Sequence, residues 1–350
     1  MSKENYRCRV CQNESVEKIY LNKIGKFSYL WRDNNWVNIF CKSCGSFSHF
    51  SRDKSKTVRY SDSSYRENSN LQKPKMPISL PWSTVSCLRS THISKIINYS
   101  NALNPAKKGI GYNLLDFGGY NGFTAYSMQS YLNLKQIFLA DLDPNGLKIA
   151  NSLGINCIDL ANQPIEKLHF QDLDVVSAVH VIEHLEDPIY QLSFIHNFLN
   201  NDGLLYVEVP NMYGFAFNDP AHLTSFNLES LSHLLVKSGF IIIDSGYVST
   251  PKESFNYDYQ NAHSKENIYC LAKKVDKNKV KELKFNFKKN NRNKIFILLR
   301  LSFCNLRYQI KVFENIILNF LRLLIRIIKS LIKIILAPVS NLLFILINLK

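Results

Sequence analysis

Cysteine and uncompensated charge are both scarce in most of this chain. Only eight of the 350 residues are cysteines, too few for a disulfide-rich fold of this size. The net charge is +15, but residues 276–350 contain 16 Lys and Arg against 3 Asp and Glu, which leaves +2 for the rest. Residues 1–275 are therefore unlike a domain that binds nucleic acid over a broad surface, because such a surface needs clustered Lys and Arg. Because 46% of residues are hydrophobic, wholesale disorder is excluded.

A hydrophobic targeting segment is also lacking at the start of the chain. The first residues, MSKENYRCRVCQNE, contain no apolar run like that of a signal peptide. We therefore expect a cytoplasmic location, where thiols stay reduced and spaced cysteine pairs are more often metal ligands than disulfides.

Two close cysteine pairs stand out near the N-terminus. Cys8-x2-Cys11 and Cys41-x2-Cys44 have the spacing with which two turns supply four thiolates to a tetrahedral Zn²⁺ ion. Four protein ligands leave no coordination position open, so the predicted site is structural. A disulfide pairing of these cysteines is the alternative, and a reducing compartment disfavours it.

Composition divides the chain into four segments. We predict a zinc-binding module at 1–60, a Ser-, Asn- and Pro-rich linker at 61–82, a domain at 83–275 and a basic amphipathic helical tail at 276–350. Within 83–275, strand-like apolar runs alternate with helix-length amphipathic stretches. This alternation predicts an α/β fold with a doubly wound parallel sheet, flanked by a small N-terminal zinc ribbon and the C-terminal helical tail.

The strands and helices of the 83–275 segment follow from its apolar runs and turn residues. Strands are predicted at 112–117, 136–141, 155–158, 173–179, 204–210, 240–248 and 267–274. Helices are predicted at 123–132, 144–154, 188–200 and 228–238. Ligands of doubly wound sheets bind beyond the carboxyl ends of the strands, so residues that follow strands are the candidates for a site.

A glycine-rich turn and two carboxylates occupy such positions. Glycines let the chain turn tightly and approach a ligand closely, and a carboxylate after the second strand can accept both hydroxyls of a ribose. A carboxylate after the third strand is placed to meet an adenine amino group. The predicted nucleotide-binding residues are Asp116, Gly118, Gly119, Gly122, Asp141 and Asp159. The alternative is that the glycines only shape a strand-to-helix turn.

These motifs resemble class I S-adenosylmethionine-dependent methyltransferases, over residues 83–275. LLDFGGYNGFTA is similar to the family's G-x-x-x-G turn, with Tyr120 where a glycine is usual, and ADLDPNGLKIA is similar to its acidic ribose motif. The spacing favours Asp141 over Asp143. The resemblance implies a Rossmann-like sheet that binds S-adenosylmethionine. A nicotinamide-dependent enzyme is the competing interpretation, disfavoured because the turn lacks G-x-G-x-x-G.

The segment HVIEHLEDP, residues 180–188, resembles the H-V-L-E-H-x-x-D-P stretch of methyltransferases that act on sugars, quinones and small metabolites. His180 is the first candidate base, because a histidine pKa lies near working pH. Glu183 would orient it or bind a substrate hydroxyl, and His184 is a second candidate. DPAHLTSF is similar to the family's H-x-x-x-F stretch and adds His222 as a third.

Structural roles remain the alternative for each of these histidines. A metal shared by His180, Glu183 and His184 is a further, less favoured alternative, because that spacing needs a helix already formed at His180.

The order of zinc ribbon and methyltransferase domain resembles the sugar C-methyltransferases of deoxysugar pathways. Those enzymes carry a further α/β domain after the core, and this chain has only the tail. The resemblance implies a small-molecule or glycan acceptor, such as a sugar, a nucleotide sugar or a glycan hydroxyl in surface polysaccharide biosynthesis. The alternatives are an rRNA methyltransferase with an N-terminal zinc module, although the near-neutral body makes nucleic acid unfavoured, and a non-catalytic donor-binding module.

The tail combines basic and apolar residues. If residues 296–335 are helical, seven cations fall within about a quarter of the helix circumference, beside a wide Leu, Ile and Phe surface. They are Arg300, Arg307, Lys311, Arg322, Arg326, Lys329 and Lys333. Such a helix suits the surface of an anionic membrane. The uncharged run 334–349 is shorter than the ~20 residues of a spanning helix, so we expect peripheral attachment at the inner face. Packing against the body or a second subunit is the alternative.

Flotation with anionic liposomes tests this membrane attachment. We predict that the full-length protein floats with the vesicles and that a truncated protein of residues 1–275 does not, because the truncation removes the basic-apolar surface. Equal flotation of the two proteins, with the full chain monomeric, would refute the expectation.

Overall fold

The structure is a computed structural model that describes residues 6–19, 36–51, 80–170, 172–213, 221–248 and 266–276. The chain divides into two units, Met1–Lys294 and Ile295–Lys350, and every described residue belongs to the first. Most of the predicted linker and the tail beyond residue 276 lie outside the described residues. Within the described ranges, no helix is both long and apolar enough to cross a bilayer.

The described part of the chain contains eleven strands and five α-helices. The strands are β1 (Val16–Ile19), β2 (Trp36–Cys41), β3 (Phe47–Ser51), β4 (Tyr112–Phe117), β5 (Leu134–Asp141), β6 (Asn156–Asp159), β7 (Leu173–Val179), β8 (Leu199–Pro210), β9 (Thr224–Ser225), β10 (Phe240–Val248) and β11 (Asn267–Lys274). The helices are α1 (Leu80–Tyr99), α2 (Phe123–Met128), α3 (Pro144–Ser152), α4 (Pro188–Phe198) and α5 (Leu228–Lys237).

Seven strands form the central sheet, in the order β10-β11-β8-β7-β4-β5-β6. Strands β4 to β8 are parallel to one another, and β11 is antiparallel to both of its neighbours. Alternation of strands and helices produces this arrangement because parallel neighbours need crossover connections. The predicted doubly wound α/β fold is therefore confirmed.

Both faces of the sheet are covered, because neighbouring residues of each strand enter different core clusters. Leu115 and Val176 pack with the apolar side of α4 and α5. Leu114 and Val175 pack on the opposite face with α1, α2 and α3. This two-sided burial explains why β7, LDVVSAV, is nearly continuous in apolar residues instead of alternating.

Helix α1 is not among the helices predicted from the sequence. It includes residues 80–82, which were assigned to the linker 61–82. The segment LPWSTVSCLRS has little apolar periodicity, so its helix was not predicted. Burial of Ile93 and Ile97 against the central sheet stabilises the helix instead, which is a tertiary effect that local propensity does not report.

The N-terminal strands do not stand apart from the 83–275 segment. Strands β1, β2 and β3 form a second, antiparallel sheet whose fourth strand is β9. The backbone N–H of His49 donates to the carbonyl of Leu223 at 3.0 Å beside this pairing. Cys8 and Cys41 also belong to the same core cluster as Leu231. The cysteine-bearing strands and the central sheet therefore share one hydrophobic core.

Candidate functional site

The order of the central strands reverses at β4, which has β5 on one side and β7 on the other. A doubly wound sheet opens a ligand crevice at the carboxyl ends of the strands beside such a reversal. Gly118 follows β4 and His180 follows β7, and the two loops touch. A Cβ added to Gly118 would lie 2.3 Å from Cγ2 of Val181. The glycine turn and the predicted catalytic segment thus meet at one crevice.

A side chain is disfavoured at each of the three predicted glycines, for a different steric reason at each. Gly118 and Gly122 have φ of +73°, a region that disfavours other residues. A Cβ on Gly119 would lie 2.3 Å from Oδ2 of Asp116, so the carboxylate is folded beneath the turn. A Cβ on Gly122 would lie 2.6 Å from Cδ1 of Ile155, so this glycine lets α2 pack closely on the core. Gly122 therefore serves packing, whereas Gly118 and Gly119 shape the turn at the crevice.

Asp141 links two loops at the edge of the crevice. One carboxylate oxygen accepts the backbone N–H of Tyr120 at 2.8 Å, and the other accepts that of Asp143 at 2.8 Å. Asp143 instead caps helix α3, where its side chain accepts the N–H groups of Asn145 and Gly146. Asp141 is therefore the carboxylate that borders the glycine turn, whereas Asp143 caps a helix.

The sequence analysis did not single out Gly146. A Cβ at this position would lie 2.6 Å from Cδ2 of Tyr120 and 2.7 Å from its carbonyl oxygen, so α3 packs directly on the turn. A glycine inside an otherwise helical stretch was the available signal.

Asp159 lies at the end of β6, as predicted. Its oxygens accept from the backbone N–H of Ala161 and the side-chain amide of Asn162.

Asp116 is buried under the turn and accepts a hydrogen bond from the Ser177 hydroxyl at 2.7 Å. Burial raises the pKa of Asp116 to about 6, with the negative charge of Asp141 adding to the effect and the hydrogen bond from Ser177 opposing it. The side chain does not face the crevice as a free ligand. It supports the turn from below.

His180 adopts a φ of +55°, which turns its side chain away from the line of β7. Its Nδ1 lies 3.4 Å from Oε1 of Glu183, and its Nε2 lies 3.7 Å from Oε1 of Glu208. Burial lowers the pKa of His180, but these two carboxylates outweigh that effect and raise it overall. About a third of the side chain stays exposed, so a substrate can reach it.

Glu208 is the main functional residue that the sequence analysis missed. It is fully buried in β8 and accepts from Arg89 at 3.2 Å, from the Tyr206 hydroxyl at 3.0 Å and from the Asn267 side-chain amide at 3.1 Å. Burial raises its pKa, but Arg89 and His180 outweigh burial and lower it to about 2. A glutamate inside the apolar run LLYVEVP was the signal that could have identified it.

The other two predicted histidines lie together. The Nδ1 of His184 is 2.8 Å from the carbonyl oxygen of Ala221, and its Nε2 is 3.8 Å from Oε1 of Glu183. The ring of His222 packs edge-on against that of His184, with centroids 4.9 Å apart. His184, His222 and Glu183 thus form one cluster, and their metal-ligating atoms all lie within 4.8 Å of one another.

The metal set considered from sequence, His180 with Glu183 and His184, is not the one that the fold assembles. The 3-10 helix Ile182–His184 begins only after His180, which has positive φ. The third member of the observed set is His222, which precedes β9 in the chain.

The four N-terminal cysteines converge as predicted. The sulfurs of Cys8 and Cys44 are 3.6 Å apart, and those of Cys11 and Cys41 are 3.4 Å apart. These distances exceed the ~2.05 Å of a disulfide and fit tetrahedral ligands about 2.3 Å from one Zn²⁺. The Ser46 hydroxyl lies 3.2 and 3.1 Å from the Cys8 and Cys44 sulfurs. Hydrogen bonds from the Cys11 thiol, then Cys41 and Cys44, hold the pKa of Cys8 below its ordinary value.

One protein family matches this chain over the crevice and the sheet around it. Residues 88–245 match the family model described as a methyltransferase domain. This match supports a methyltransferase and agrees with the fold class predicted from the sequence. The sequence matches none of the curated proteins at a significant level.

Solved structures of methyltransferases resemble the chain weakly. An S-adenosylmethionine-dependent methyltransferase from Clostridium acetobutylicum is 13% identical, with 61% of this chain and 100% of that chain covered and a TM-score of 0.41. One from Mesorhizobium loti is 14% identical, with 49% and 96% covered and a TM-score of 0.40. The plantazolicin methyltransferase BpumL, in complex with a pentazolic desmethylPZN analog and SAH, is 17% identical, with 62% of this chain and 93% of that chain covered and a TM-score of 0.42.

The buried Asp116 carboxyl predicts a pH dependence of stability. Its pKa is about 6 in the folded protein and about 3.9 in an unfolded chain, so between these values only the unfolded chain releases the proton. The free energy of unfolding therefore falls as pH rises from 4 to 6, by about 3 kcal/mol from this group, and the contribution is constant above. Urea unfolding from pH 4.5 to 7 should show this slope reduced in Asp116→Asn.

Asparagine keeps an acceptor for the Ser177 hydroxyl, so the comparison isolates the charge. Parallel pH profiles of the two proteins would contradict the assignment.

Proposed function

We propose that the protein transfers the methyl group of S-adenosylmethionine to a sugar-like small acceptor, such as a sugar, a nucleotide sugar or a glycan hydroxyl, with His180 as the base. One observation carries the proposal. The His180 imidazole lies between two buried carboxylates, Glu183 and Glu208, and the next residue, Val181, borders the glycine turn at Gly118. That is the arrangement that removes a proton from an acceptor beside a bound methyl donor.

The donor would occupy the crevice along the ends of β4, β5 and β6. Asp141 would accept the ribose hydroxyls, and Asp159 would meet the adenine amino group. Gly118 and Gly119 let the backbone approach the donor, while Asp116 and Gly122 support the turn from behind. Asp141 is suited to this role because backbone N–H groups on both of its oxygens already fix the carboxylate in place.

Methyl transfer to a hydroxyl needs alignment and removal of one proton. The acceptor oxygen attacks the methyl carbon, the carbon–sulfur bond breaks, and the acceptor proton passes to His180. The products are the methylated acceptor, S-adenosylhomocysteine and an imidazolium. Glu183 and Glu208 stabilise that imidazolium, which is the reason for placing the base on His180. His222 and His184 line the acceptor side in this proposal.

A labelled-methyl screen tests the acceptor class. We predict transfer to nucleotide sugars or glycan fragments and none to ribosomal RNA, since the body of the chain is nearly neutral. Labelling of RNA alone would favour the zinc-module rRNA methyltransferase. Donor binding with no transfer to any acceptor would favour a non-catalytic module.

Two variants should separate donor binding from chemistry. Asp141→Asn should weaken S-adenosylmethionine binding by about 1–3 kcal/mol, because a charged acceptor is lost, as measured by calorimetry. His180→Asn should leave that affinity unchanged and slow single-turnover transfer by about 10²–10⁴, and asparagine tolerates the positive φ.

Matched controls lie close to each position. Asp143→Asn should keep full donor affinity, because asparagine caps a helix as well as aspartate does. His169→Asn changes an exposed histidine that belongs to neither of the two loops and should leave donor binding and transfer unchanged. Unchanged affinity in Asp141→Asn would remove Asp141 from the donor site, and normal transfer in His180→Asn would remove His180 from the mechanism.

The cysteine cluster would hold a structural Zn²⁺ that supports the acceptor side. Strand β3 of the cysteine-bearing sheet pairs with β9, two residues after His222. Because metal binding and folding are coupled in small zinc sites, loss of the ion would release this strand. We predict that Cys41→Ser lowers the zinc content by one ion per chain and lowers transfer more than donor binding. Elemental analysis under reducing conditions measures the first effect, and an unchanged zinc content would contradict it.

The tail would bring the enzyme to the inner face of the membrane. Its residues beyond 276 lie outside the described part of the chain, so this proposal rests on the basic-apolar pattern of the sequence. A surface glycan acceptor assembled at the membrane would fit such a location.

A further inference from the structure

Three side chains with metal-ligating atoms converge beside His180 on the acceptor side of the crevice. They are Glu183 and His184, from the 3-10 helix after β7, and His222, from the segment before β9. Their ligating atoms all lie within 4.8 Å of one another. We propose that these three residues bind a first-row divalent cation, with Zn²⁺ as the occupant, at a site separate from the four cysteines.

The Glu183 carboxylate is the first reason for the proposal. Only 1% of the residue is exposed, and among the described residues neither oxygen has a partner with hydrogen-bond geometry. Ring nitrogens of His180 and His184 lie 3.4 Å and 3.8 Å from Oε1. Burying a carboxylate without hydrogen bonds is costly, and a bound cation removes that cost.

The orientation of His184 is the second reason. A carbonyl oxygen only accepts, so the 2.8 Å contact with Ala221 places a proton on Nδ1 of His184. The neutral ring then carries its lone pair on Nε2, the nitrogen on the side of Glu183. Histidines that bind metals commonly donate their other ring N–H to a backbone carbonyl in this way, which orients the ring and fixes its tautomer.

The third ligand, His222, is held in place by the cysteine-bearing sheet. The segment that follows it is tied to β3 by the β9 pairing and by the hydrogen bond from the His49 N–H to the Leu223 carbonyl. Two imidazoles and one carboxylate suit Zn²⁺ and its first-row neighbours, whereas Mg²⁺ and Ca²⁺ prefer oxygen ligands alone. Three protein ligands leave a coordination position open.

That open position would take an oxygen of the acceptor, a role that rests on the proposed function. The binding of the ion itself does not, because it needs only the three side chains.

Equilibrium dialysis of the full chain against Zn²⁺, without donor or acceptor, tests the site. The unmodified protein should bind one equivalent more than Glu183→Gln or His222→Asn. Loss of a ligand should weaken binding of that additional Zn²⁺ by at least about tenfold to a hundredfold, because losing a residue that only hydrogen-bonds to a ligand already costs that much. His222 is only partly buried, so its variant tests the site even if Glu183→Gln fails to fold.

Co²⁺ distinguishes the two metal sites by absorbance. Co²⁺ at the cysteine site gives thiolate-to-metal charge-transfer bands. Co²⁺ at the proposed site adds only ligand-field bands, and these added bands should be absent from the two variants. The controls are Glu166→Gln, also the middle residue of a 3-10 helix but exposed, and His169→Asn. Equal metal content in the unmodified protein and both variants would overturn the proposal, whatever the acceptor screen finds.

Discussion

The close approach of the loops after β4 and β7 is the constraint on which the site depends. Gly118 has room for no side chain, because a Cβ there would overlap Val181. That contact joins the two loops next to the point where the chain leaves β7, and there His180 has a positive φ. Backbone strain of this kind persists only where surrounding structure enforces it, and here two parallel neighbours of one sheet do so.

Buried carboxylates lie on both sides of His180, and cationic or hydrogen-bonding groups offset their charge to different degrees. On the sheet side, Glu208 is neutralised by Arg89 and held by two further donors, so its carboxylate stays ionised in the core. On the other side, Glu183 has no comparable set of hydrogen bonds from the part of the chain that the structure describes. A buried pair is expensive to break by removing one partner, so Arg89 should be as important to the geometry of His180 as either carboxylate.

The central sheet could be predicted from sequence because its strands are continuous apolar runs bounded by turn residues. The predicted bounds of β7, β10 and β11 agree with the structure. Strand β8 begins at Leu199, five residues before the prediction, since the polar residues around Gly203 resemble a loop. Strand β9 has two residues and no periodicity, so only pairing with β3 defines it.

The site was partly predictable for the same physical reason. Residues that directly follow strands, such as Asp141 and His180, are located by the fold itself. The role of Glu208 and the meeting of His184 with His222 depend on contacts between distant segments, which spacing along the chain does not encode.

The pairing of β3 with β9 has a consequence for how the protein is made. The cysteine-bearing strands leave the ribosome first, yet the strand that completes their sheet follows about 170 residues later. Until then, the edge of β3 is open to solvent or to another chain. If the cysteine cluster forms before β9 has been made, it forms beside an unpaired strand edge, and a bound metal ion would then stabilise it.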